Sequence, residues 1–117
     1  TALINFGNKK INKNTKHVLL GDMLELGSNS IKHHISIAKM INKLDIAKVH
    51  IYGNHVKKTY EIIKKNKQGL ILNNLSKIQD LINKRLNTND YLMIKGSNST
   101  GLFKQSQLLK LNKLNAL

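Results

Sequence analysis

The sequence predicts an α/β fold, Rossmann-like, with a mostly parallel sheet of at least four strands and helices on both faces. Two observations carry this. Short apolar runs of strand length alternate four times with stretches whose apolar residues step by three and four. The strand runs are apolar throughout instead of alternating with polar residues, as strands covered on both faces are. A length of 117 residues allows one domain with one core, and no proline, fixed-period repeat or long Gly/Ser linker marks a boundary.

The elements follow in order. Residues 1–7 read as the tail of a helix and residues 8–16 as a polar, mobile connection. Strands are predicted over 17–20, 47–52, 69–72 and 90–94, where β-branched and other apolar residues cluster. After the first strand, Ile31, Ile35, Ala38, Ile41 and Leu44 share a helix face that Ser30 could cap. After the second, Val56, Tyr60 and Ile63 do the same. After the third, Ser76-Lys77-Ile78-Gln79 has capping-box spacing, and Ile78, Leu81, Ile82 and Leu86 supply the stripe. A last helix would carry Leu108, Leu109, Leu111 and Leu114.

Composition narrows the function. With no cysteine there is no disulfide framework, thiolate zinc site or cysteine nucleophile. The apolar runs fall far short of the roughly 20 residues that span a bilayer, and no signal-peptide pattern opens the chain, so no membrane span is expected. Twenty basic residues against six acidic ones give a formal net charge of +14, which by itself would suggest a nucleic-acid partner. Nineteen of the twenty are lysine, however, and only Arg85 offers the planar fork that phosphates and base edges favour. Lysine, asparagine and isoleucine rising together is what codons rich in A and T produce. Aromatic residues make up only 4%, too few for a stacking platform, and no nucleic acid is expected as a partner.

Ligands of open α/β sheets sit beyond the carboxyl ends of the strands. Three glycine-led segments fall there: Gly21-Asp22-Met23-Leu24-Glu25-Leu26-Gly27, Gly53-Asn54, and Lys95-Gly96-Ser97-Asn98-Ser99-Thr100-Gly101. The last is rich in hydroxyls and backbone N–H groups and opens a helix, which suits an anion but equally suits a plain turn. It is not a P-loop, because Leu102 stands where the phosphate-binding lysine belongs. Lys95 ends an apolar strand at the same edge. Asp22 and Glu25, two of only six carboxylates, could receive an ammonium group, brace the loop, or cap a helix. His33 and His34 open the next helix, and a histidine that hydrogen-bonds the loop fits better than a metal ligand, since no ligand spacing is present. His17, His50 and His55 belong to no evident constellation, and no complete catalytic set is visible.

GDMLELG after an apolar strand, a serine and a histidine in the next helix (Ser30, His34), residues 44–49 at the second strand, and the final strand with its KGS loop (90–97) resemble the C-terminal domain of a Mur ligase. Within that family the residues look most like the MurF type, the ATP-dependent ligase that adds D-alanyl-D-alanine to UDP-N-acetylmuramoyl-tripeptide. The resemblance covers nearly all of residues 1–117. It departs at Asn98, where many members carry arginine. It implies the third domain of a three-domain enzyme, in which the nucleotide loop, the catalytic groups and the UDP-sugar domain lie upstream. ATP and Mg2+ would be bound mainly by the central domain, with no cofactor expected on this domain alone, and the isolated domain would be inactive. The implied partners are D-alanyl-D-alanine, UDP-N-acetylmuramoyl-tripeptide and ATP, in a cytoplasmic, monomeric enzyme of peptidoglycan synthesis. On this resemblance Lys95, Ser97 and Asn98 would meet the dipeptide carboxylate, with Gly96 among the residues that bind the acceptor. Asp22 or Glu25 would lie near its ammonium or brace the loop, Asn54 would complete the acceptor face, and His34 would hold the loop. The rival expectation is a free-standing basic α/β domain that binds a small molecule or RNA.

Overall fold

The computed structural model describes residues 2–12, 15–23, 29–96 and 115–116. Five strands, β1 (Lys16–Gly21), β2 (Lys48–Tyr52), β3 (Gln68–Leu72), β4 (Tyr91–Lys95) and β5 (Asn115–Ala116), form one sheet. All are parallel, in the order β3-β2-β1-β4-β5. The helices are α1 (Ala2–Gly7), α2 (Ser30–Asn42), α3 (Lys57–Ile62) and α4 (Leu75–Asp80), the last running into a π-helical turn over Leu81–Arg85. The fold is α/β and Rossmann-like. From β1 the chain moves outward to β2 and β3, then returns across the sheet to β4, so the order reverses between β1 and β4.

Successive side chains of a strand point to opposite faces, and the central strands use both. Val18, Leu20, Val49, Ile51 and Met93 face α1, α2 and α3, meeting Leu3, Phe6, Ile37, Ala38, Ile41 and Val56. On the other face Leu19, Leu72 and Leu92 meet Ile78, Leu81 and Ile82 from α4 and its π-turn. This is why the strand sequences are apolar without alternation. Each fully buried aliphatic side chain contributes about 1.5–3 kcal/mol. Among the described residues no helix is long and apolar enough to cross a membrane.

The local readings need four corrections. Lys16 is not part of the polar connection: it is the first residue of β1, buried, and its Nζ donates to the Gly7 carbonyl at 2.8 Å. A cation is thereby placed at the carboxyl end of α1, where helix carbonyls lack partners. Ile31 leaves the predicted stripe and stands 52% exposed, because the buried face of α2 runs through Ser30, His34, Ile37, Ala38 and Ile41. A search for hydrocarbons alone overlooks two polar residues that satisfy one another. Ser30 does not cap α2, whose N-cap position is Asn29 without a side-chain bond.

The fourth correction concerns α4. Asn74 is its N-cap, accepting the Lys77 N–H at 3.0 Å, while Ser76 donates its hydroxyl to the Asn74 side chain at 2.7 Å. Asn74→Ala should therefore cost about 1 kcal/mol in urea unfolding, and Ser76→Ala distinctly less. The opposite ranking would restore the capping box. The predicted final helix at Leu108, Leu109, Leu111 and Leu114 lies outside the described residues. The β5 pairing of Tyr91 with Asn115 and Leu92 with Ala116 adds a strand to the four predicted.

Candidate functional site

The carboxyl ends of β1 and β4 lie side by side at the point where the strand order reverses, with Leu20 paired to Lys95. Gly21, Asp22 and Met23 therefore leave the sheet beside Lys95 and Gly96, and Gly53 and Asn54 leave β2 on the other side of β1, where Gly21 pairs with Tyr52. The three glycine-led crests predicted from sequence share one edge. Glu25, Ser97 and Asn98 lie outside the described residues.

Asp22 is buried, and both carboxylate oxygens are engaged. Oδ1 accepts the Val56 N–H at 2.8 Å and Oδ2 accepts the Asn54 N–H at 3.1 Å. These two donors belong to the turn that opens α3, so a β1 carboxylate closes the loop that β2 supplies. Gly53 makes the approach possible. Its φ is +131°, and a Cβ built there would fall 2.5 Å from Asp22 Oδ1. Asp22, Gly53, Asn54, Leu72 and Asn73 line a cleft of about 320 Å³ along this edge. Asn54 is exposed in it, while Lys95 is half-buried.

His34 secures the next residue along. Its Nδ1 lies 2.7 Å from the Ser30 carbonyl, which can only accept, so Nδ1 carries the proton and Nε2 is left as an acceptor. Met23 N–H points to that Nε2 at 3.4 Å. The His34 carbonyl in turn accepts the Thr59 hydroxyl at 2.7 Å, joining α2 to α3. The β1 crest is thus held at two consecutive residues, one by the turn that opens α3 and the next by α2. His33 lies beside it with Nε2 buried and, among the described residues, no hydrogen-bond partner. Burial, then His34 and Lys95, lower its pKa below the ordinary 6.5.

A second polar cluster, missed by sequence reasoning, lies on the sheet face that packs against the π-turn. His17 and His50 form a constellation after all: His17 Nδ1 lies 3.1 Å from His50 Nε2, with ring planes within 7°. His17 Nε2 lies 3.6 Å from Asp90 Oδ2, and Leu70 N–H donates to His50 Nδ1 at 3.0 Å. Burial, chiefly, lowers the pKa of both, that of His50 to about 3, with His17, Lys48 and Arg85 adding to the effect on His50. The only signal in the sequence was two histidines on adjacent predicted strands.

A larger concavity, about 650 Å³, lies at the opposite, amino-terminal edge of the sheet. It is lined by lysines that already serve the fold: Lys48 donates to the Asn66 carbonyl and Lys67 to those of Ile41 and Leu44. Size does not make it the functional site. Among the described residues, no three imidazole or carboxylate groups converge as metal ligands would. No family model matches the chain, and no curated protein is significantly similar to it.

Proposed function

We propose that the chain is the C-terminal domain of a MurF-type Mur ligase, which presents D-alanyl-D-alanine to an acyl phosphate formed from UDP-N-acetylmuramoyl-tripeptide and ATP. One observation carries the reading. The two segments that resemble the family, beginning at Gly21 and at Lys95, leave adjacent strands at the reversal point of the sheet, where open α/β sheets bind ligands. Lys95 supplies a cation at that edge for the dipeptide carboxylate. Asp22 braces the neighbouring loop, since both its oxygens already hold backbone N–H groups. Glu25 is left as the carboxylate nearest in sequence for the ammonium. ATP and Mg2+ belong mainly to the central domain of such an enzyme, and this domain's part is to bind and orient the incoming amine.

The test uses the complete gene product. Its mass on an immunoblot should be about four times that of this chain, and it should ligate D-alanyl-D-alanine in an ATP-dependent manner. Lys95→Ala should raise the KM for the dipeptide about tenfold or more while leaving the KM for ATP within about twofold, because only a dipeptide contact is removed. Equal changes in both constants would sink the carboxylate role. A product of about 13 kDa that binds RNA with a steep salt dependence would replace the ligase reading altogether.

A further inference from the structure

The order of hydrogen bonds through the buried His50 and the half-buried His17 is fixed at one end. Leu70 can only donate its N–H, so His50 Nδ1 accepts and the His50 proton sits on Nε2. That proton points to His17 Nδ1, which must accept, leaving the His17 proton on Nε2 toward Asp90. Asp90 in turn accepts the Asn87 N–H at 2.8 Å. Three of the four ring nitrogens are hydrogen-bonded, and the fourth, His17 Nε2, faces Asp90 at 3.6 Å. A proton added to His50 Nδ1 would face the Leu70 N–H, and one added to His17 Nδ1 would face the His50 N–H. Neither ring can gain a proton without breaking a bond of the chain.

The Leu70 bond also matters to the sheet. Pairing of β2 with β3 shifts register between Val49 and Ile51, so that two steps along β2 match three along β3. An extra residue of this kind disrupts the ladder locally, and His50 supplies an acceptor for the Leu70 N–H by a side chain. Gly69 admits the ring, since a Cβ there would lie 2.5 Å from His50 Nδ1. Among the described residues β3 is the edge strand and pairs only with β2. A cavity of about 300 Å³ lies against the two rings, between β3 and the π-turn residues Leu81 and Arg85.

We propose that the chain Asp90–His17–His50–Leu70 is an acid-released latch that holds the edge strand β3 in the sheet. The charged groups around it favour release once a proton arrives. Lys48 from β2 and Arg85 from the π-turn repel a charged His50, as would a charged His17, and among the described residues only Asp90 favours charge on His17. β3 itself carries no titratable side chain. Because Leu72, at the carboxyl end of β3, lines the cleft with Asp22 and Asn54, releasing β3 would open one wall of that cleft. The latch stands independently of the ligase reading.

Hydrogen exchange followed by mass spectrometry on the full-length protein tests it. After correction for intrinsic rates, protection over residues 68–72 should fall about 20-fold between pH 7 and pH 5. That is the linkage expected for a group of pKa about 3 when latched and 6.5 when free. β1 and β4 should change far less. His50→Asn keeps an oxygen for the Leu70 N–H but cannot titrate, and should remove most of the pH dependence. An equal loss in His50→Asn, or an equal loss across all strands of the wild type, would overturn the latch. Histidine-selective ¹⁵N NMR of the wild type decides the matter should that variant misfold. His50 should be neutral at pH 6 with its proton on Nε2, and a His50 midpoint at or above pH 6 would overturn it.

Discussion

Asp22→Ala is expected to lower the unfolding free energy by about 3 kcal/mol, and to do so by loosening the edge where the ligand is proposed to bind. The carboxylate holds two backbone donors, Asn54 N–H and Val56 N–H, from a segment more than thirty residues away. Hydrogen bonds to charged groups are worth about 1.5–3 kcal/mol each, and a donor left buried costs more than one returned to water. Asp22→Asn would restore only part of this: the amide oxygen can serve Val56, but the –NH2 then meets the Asn54 N–H. Gly53→Ala should resemble Asp22→Ala in size, since the new Cβ would collide with the same carboxylate from a backbone conformation that alanine disfavours. Urea unfolding of the three variants checks the assignment. A loss under about 1 kcal/mol for Asp22→Ala would mean that water holds the loop as well as the carboxylate does. Bound D-alanyl-D-alanine, if this edge is its site, should offset part of the loss.

The second large effect is acid sensitivity in a pH range where carboxylates hardly titrate. The folded-state pKa of His50 is about 3 and its ordinary value is 6.5, so between them the unfolded chain binds a proton that the folded chain refuses. The stability that depends on a neutral His50 is therefore complete above pH 6.5 and is lost as the pH falls toward 3. Each pH unit well inside that window removes up to about 1.4 kcal/mol, so a change from pH 7 to pH 5 should cost about 2 kcal/mol through His50 alone. His17, also lowered by burial, adds in the same direction, reduced by the attraction of Asp90. Urea midpoints at the two pH values measure the slope. His50→Asn should remove most of it, and an unaltered slope in that variant would assign the acid response to other groups.

How far each feature could be read ahead depends on how local its cause is. The four strands were legible because apolar runs such as Val18-Leu19-Leu20 are a property of neighbouring residues. The crests at Gly21, Gly53 and Lys95-Gly96 followed from them, since a loop after a strand is also a local fact. Helix faces were legible where hydrocarbon lined them, as at Ala38 and Ile41, but the buried Ile37 was passed over for the exposed Ile31, and Ser30 and His34 were left off the face, though they are buried because they bond each other, the loop and α3.

Local pattern by itself thus determined the α/β class, the parallel sheet and the edge on which its loops gather. Only the tertiary structure decided what the buried polar groups do. Asp22 finds its donors 32 and 34 residues away, and His17 finds His50 33 residues away, through the parallel register of β1 with β2. Hydrophobic periodicity is set by the few neighbours that share a helix turn or a pleat, whereas a buried charge or imidazole must be satisfied by whichever backbone or ring the fold brings within about 3 Å.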